Sequence, residues 1–213
     1  MHSLEKLLEP VSLTQFNLQE RRNAFYYNTL EVYHGYDVGQ GFLLTPDGYF
    51  VTLSNSVGRG IVRVQIPGTK NVQKATISEK YNGLALGKID VPETCTPGLV
   101  VLKTDVLQRG APLEVYFAER NGLVSNVGAF RAYSVNRSVE IGTSSCDFES
   151  DWNGAPVATH DTHEFVGLTV VKPEPERSLW NLLFGKKEIK SHEFIAADQV
   201  RRLVNNYLKN YHE

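Results

Sequence analysis

The chain has one methionine, two tryptophans and two cysteines among 213 residues. With Cys95 and Cys146 alone there is no disulfide framework and no four-cysteine zinc site; the two thiols either pair or stay free. No apolar stretch approaches the ~20 residues that a membrane span needs. Neither sign of charge dominates: 22 Lys and Arg stand against 24 Asp and Glu, a formal net charge of −2. So balanced a chain lacks the basic excess of a nucleic-acid binder and the charge runs of an anionic-membrane anchor. The opening MHSLEKLLEPVSL lacks the basic, apolar and small-residue order of a signal peptide. The compartment stays open: extracytoplasmic if a leader was removed, cytoplasmic otherwise. Internal repeats and low-complexity tracts are also missing.

What the chain has is turns. Pro46-Asp47-Gly48, Ile66-Pro67-Gly68, Tyr81-Asn82-Gly83, Pro97-Gly98 and Asn121-Gly122 separate short segments rich in β-branched and aromatic residues. These segments, Val51 to Leu53, Ile61 to Ile66, Leu84 to Ile89, Leu99 to Leu102 and Leu113 to Phe117, read as strands of an all-β barrel or sandwich. The end of the chain differs. Val200, Leu203, Val204, Tyr207, Leu208 and Tyr211 share one helical face, with Asp198 in the first turn where a carboxylate suits the helix dipole. Leu4 to Leu8 reads as a short helix ended by Pro10. Between Lys172 and His192 a long insertion carries the apolar cluster Leu179, Trp180, Leu182, Leu183 and Phe184 beside charges. It is either folded onto its own barrel or a partner surface, since apolar anchors flanked by charge are the usual composition of one.

Gly39 to Val57, GQGFLLTPDGYFVTLSNSV, and Asn153 to Val157, NGAPV, resemble the blocks that carry the catalytic His and Ser in HtrA (DegP-like) trypsin-fold serine proteases. Leu84 to Asp90, LALGKID, is similar to that family's D-[IL]-A-[LV]-[LI]-K-[IV]. Asn126-Val127-Gly128, Phe165-Val166-Gly167-Leu168 and Phe194 to Val204 resemble further family segments in the same order. The likeness spans roughly residues 35 to 208 and implies two six-stranded antiparallel β-barrels with a C-terminal helix. It divides the chain into an N-terminal extension (1–30) and a protease-like domain (31–213), with barrels at about 31–105 and 106–195, a helix at 198–210, and no PDZ domain. In the family an aromatic N-terminal segment often joins a trimer, so Phe25-Tyr26-Tyr27 either supports a homo-oligomer or closes one end of the first barrel.

The resemblance puts Asn55 at the His position, Gly83 at the Asp position and Asn153 at the Ser position. A carboxamide nitrogen is no general base, glycine orients nothing, and a second carboxamide is no nucleophile. Asp151, with Glu149 nearby, brings negative charge to the oxyanion loop, and Trp152 is expected to fill or cover the cleft. The expectation is therefore a catalytically inactive pseudoprotease, not an enzyme, that binds a protein or peptide without a cofactor. Partner-binding candidates are Leu179, Trp180, Leu183 and Phe184. One alternative is a rebuilt hydrolase using Ser54, Ser56, Ser144, Ser145, Ser150 or Cys146, although none of the six histidines aligns with the site. Another is a metal site at His160, Asp161 and His163, against which stands a solvated hairpin tip lacking a fourth ligand.

Overall fold

The computed structural model describes residues 3–9, 17–35, 37–58, 61–66, 72–91, 98, 100–119, 122–136, 138–148, 150–171 and 192–212. Six strands close the first barrel: β1 (Thr29–His34), β2 (Asp37–Leu43), β3 (Tyr49–Leu53), β4 (Val62–Gln65), β5 (Val72–Tyr81) and β6 (Leu84–Lys88). Their order is β1-β2-β3-β6-β5-β4, and β4 pairs back onto β1. The second barrel comprises β7 (Pro112–Glu119), β8 (Gly122–Asn136), β9 (Val139–Ser144), β10 (Pro156–Thr159), β11 (Phe165–Val170) and β12 (His192–Ala196). It closes in the order β10-β11-β12-β9-β8-β7. Neighbouring strands are antiparallel in both, so neither barrel leaves an open edge.

Period-two patterning explains the walls. On β4, Val62 and Val64 point inward and Arg63 outward. Leu30, Val32, Leu43, Phe50 and Val64 fill the first barrel, and Leu113, Val115, Phe117, Val166 and Phe194 the second. A third cluster joins the two, where Phe42 of β2 stacks on Phe165 of β11 at 5.0 Å. The same cluster receives the C-terminal helix, α3 below, through Val200, Leu203 and Val204, all fully buried. At about 1.5–3 kcal/mol for each such side chain, that face anchors the helix far more strongly than its polar side does.

Among the described residues three α-helices accompany the barrels: α1 (Ser3–Leu8), α2 (Leu18–Asn28) and α3 (Ala197–His212). The sequence reading contained α1 and α3 but not α2. In α2 the Asn17 side chain accepts from the Gln19 and Glu20 amides and Glu20 reaches back to the Asn17 amide, a complete capping box. The strand expected at Leu99 to Leu102 is corrected where it is described, Leu99 lying outside the described residues. Leu102 makes an isolated bridge to Phe165, and Val100 to Lys103 serve as a strap: the Phe165 amide donates to the Val101 carbonyl at 2.8 Å and the Lys103 amide to the Phe165 carbonyl at 2.9 Å.

Candidate functional site

Three loops carry the positions singled out in the sequence. After β3 the chain makes a short 3-10 turn, Ser54–Val57, on which Asn55 is exposed. The β5–β6 hairpin turns through Asn82 and Gly83, both at positive φ (48° and 83°), as an Asn-Gly pair of this kind requires. The Ser54 amide donates to the Gly83 carbonyl at 2.8 Å, which joins the first two loops. Asn82 is held elsewhere, its side-chain amide donating to Gln199 of α3 at 3.1 Å. The third loop is the 3-10 turn Ser150–Trp152 followed by Asn153. Gly39 of β2 lies between the first loop and the third: a Cβ there would stand 2.8 Å from Ser56 Oγ and 3.5 Å from the Asn153 carbonyl oxygen.

The third loop is anchored by its own residues. The Gln40 amide donates to the Asn153 carbonyl at 2.9 Å, and the Val171 amide donates to Asn153 Oδ1 at 2.9 Å. The buried Gln40 side chain crosses to the second barrel, where Oε1 accepts from the Ala118 amide at 3.1 Å. Thr169 Oγ1 donates to the Trp152 carbonyl. Gly154 has φ 86°, and a Cβ there would run into the Gln40 carbonyl. Trp152 belongs to the core of the second barrel, stacked flat on Phe117 with ring centroids 5.0 Å apart. Asp151 is exposed. At this site Asn55 and Asn153 present carboxamides and Gly83 no side chain, and the carboxamide oxygen of Asn153 is already committed to Val171.

Other sequence candidates fall elsewhere. Cys146 is a free thiol, fully buried, and burial pushes it above the usual range, so it is a core residue rather than a thiolate nucleophile. Cys95 lies outside the described residues, as do Leu179, Trp180, Leu183 and Phe184. His192 receives the Phe148 amide on Nδ1 at 3.2 Å, with Asp147 3.5 Å from Nε2. At the β10–β11 hairpin His160 Nδ1 donates to buried Glu114 at 3.0 Å, and His163 Nδ1 shares a 3.1 Å hydrogen bond with the Tyr116 hydroxyl. Asp161 is exposed. Among the described residues no group of three or more His, Cys, Asp and Glu side chains could hold a metal ion. The hairpin tip is also not solvated throughout, because His163 is buried.

None of the six histidines aligns with the site in the sequence, yet His34 comes close to it in the fold. Its ring packs against Gly58, directly after the turn that carries Asn55: a Cβ on Gly58 would run into His34 Cε1. The proximity comes from β1 lying beside that turn, and no local motif signals it.

No family model matches the chain, and no curated protein sequence matches it. Solved structures do match. The serine endoprotease from Yersinia pestis superposes with a TM-score of 0.68 at 15% identity, over 94% of this chain and 68% of its own. Rv3671c from M. tuberculosis H37Rv, solved as a serine-to-alanine mutant in an inactive form, superposes with a TM-score of 0.67 at 14% identity, over 94% of this chain and 96% of its own. The fold is that of the trypsin-like serine proteases. The expectation that the chain is not an enzyme is corrected by these neighbours, since the architecture they share with it is an enzyme's. Identities of 15% and 14% carry that likeness as far as the fold. Among the described residues no helix is long and apolar enough to cross a membrane.

Proposed function

We propose that the chain is a protein- or peptide-binding scaffold module on an HtrA-type frame with degenerate triad positions. The carrying observation is Asn153. The residue at the nucleophile position uses its carboxamide oxygen on the Val171 amide and its carbonyl on the Gln40 amide, so it holds the loop in shape. Asn55 and Gly83 are exposed on the other two loops and Asp151 on its own, a polar surface suited to hydrogen-bonding an extended peptide. On this reading residues 31–213 form the protease-like unit and residues 1–30 an extension. The insertion bearing Leu179, Trp180, Leu183 and Phe184 supplies an apolar partner surface. The test is a peptide selected from a displayed library and titrated calorimetrically. Asn55→Arg, at an exposed position, is expected to weaken binding at least tenfold with an unchanged melting temperature. Equal affinity for Asn55→Arg and the parent moves the binding surface away from the three loops.

A second reading, a rebuilt hydrolase, is favoured by one observation: the imidazole of His34 packs against the turn that holds Ser54, Asn55 and Ser56. It requires a serine there to react with a fluorophosphonate probe, and His34→Ala to abolish that labelling. Absence of stoichiometric labelling removes it.

A further inference from the structure

Helix α2 seals the seam between the barrels at a point where the structure has placed a buried imidazole. Phe25 of α2 stacks on Phe42 of the first barrel at 4.9 Å and on Tyr116 of the second at 4.9 Å. Arg21 Nη1 donates to the Thr162 carbonyl of the β10–β11 hairpin at 2.5 Å, while its Nε is buried with no hydrogen-bond partner. In that hairpin His163 adopts φ 46° and is 5% exposed. Its ring lies 6.5 Å from Phe25 and 6.4 Å from Tyr116. The groups that face it are Glu114 and Tyr116 on β7, His160 in its own turn, and Arg21 and Arg22 on α2. Both Glu114 oxygens have other donors: Ser125 Oγ donates to one at 2.6 Å and His160 Nδ1 to the other at 3.0 Å.

We propose that α2 is an acid-released latch: protonation of His163 places a positive charge beneath Arg21 and Arg22 and lifts the helix from the seam. Release uncovers Phe42 and Tyr116, whose rings are otherwise covered by Phe25. Burial is the main force holding the His163 pKa below its ordinary value of 6.5; Arg22, His160 and Arg21 act in the same direction and Glu114 opposes them. An imidazole freed by undocking regains an ordinary pKa. The undocked state then binds more protons, so docking is complete above about pH 6.5 and weakens as the pH falls below it. The loss is up to about tenfold per pH unit until the docked pKa is reached. The Glu114 carboxyl is held below its ordinary value of 4.5: burial alone would raise it, but hydrogen bonds from Ser125, Tyr116 and His160 outweigh burial. Its stabilising contribution is therefore lost only below about pH 4.5, which leaves a window between the two in which His163 acts without it.

Hydrogen exchange of the intact chain at pH 7.5 and pH 5.0, converted to protection factors, tests the latch. Amides of residues 18–28 are expected to lose at least tenfold in protection at pH 5.0 while those of 112–119 keep theirs. In His163→Asn, a residue that tolerates positive φ, the α2 protection should agree within twofold at the two pH values. In His160→Gln the acid response should persist. Unchanged α2 protection in the parent chain overturns the proposal, and so does an acid loss in His163→Asn equal to the parent's. If His163→Asn does not fold, an NMR titration of the parent decides. A His163 midpoint below 6.5 that coincides with α2 release supports the latch, and a midpoint at or above 6.5 overturns it.

Discussion

Asn153 receives the Val171 amide at 2.9 Å on its side chain and so holds in shape the loop on which it lies. Asn153→Ala leaves that part-buried amide without its acceptor and is expected to destabilise the chain by about 1–3 kcal/mol in urea unfolding. Its neighbour Trp152 acts through apolar packing. Stacked on Phe117 in the second core, it should cost about 3–5 kcal/mol when changed to alanine, read as a drop in the denaturation midpoint. Gly154→Ala forces a Cβ into the Gln40 carbonyl at a left-handed backbone position. About 2–4 kcal/mol of stability should be lost, measured in the same way. At this scale the sequence singled out Asn55, Gly83 and Asn153, which lie on three separate loops. It could not show that the Asn153 carboxamide is committed, that Trp152 enters a core, or that His34 reaches Gly58 from another strand. Those facts are contacts between segments far apart in the chain, and a local pattern does not encode them.

Among the elements, the strands were legible where turn chemistry bounded them. Asn82-Gly83 fixes the β5–β6 hairpin through two positive φ angles, and Leu84 to Lys88 follows as a strand. Leu99 to Leu102 has strand composition, but among its described residues, Val100 to Leu102, pairing is limited to one bridge, because the backbone is used as a strap on Phe165. Helix α2 escaped the reading because its apolar residues do not form one stripe. Ala24 and Phe25 are buried while Leu18, Tyr26 and Tyr27 are exposed. Its legible signal was the cap, Asn17 with Glu20 three residues on. Asn17→Ala should weaken α2 by about 1 kcal/mol, seen as a roughly fivefold loss of amide protection confined to that helix. In Phe25-Tyr26-Tyr27, Phe25 enters the cluster that joins the two barrels and does not close one end of the first, while Tyr26 and Tyr27 face outward.

At the scale of the molecule, two closed barrels, an aromatic seam and a terminal helix reproduce a trypsin-like protease architecture at 15% identity to one neighbour and 14% to another. The frame survived because its requirements are loose: alternating apolar residues, turn residues and a few close-approach glycines, which many sequences satisfy. A catalytic triad needs one base, one orienting carboxylate and one nucleophile; on the proposed reading its positions are Asn55, Gly83 and Asn153, which offer two carboxamides and no third side chain. The central claim is that these three loops now form a surface that binds an extended peptide or a partner segment. The most direct measurement is an amide NMR titration of the labelled chain with a library-selected peptide. The account predicts that the shifted resonances concentrate at Gly39, Ser54 to Val57, Asn82, Gly83 and Asn153. A saturating titration that leaves those resonances unmoved and shifts others would contradict it.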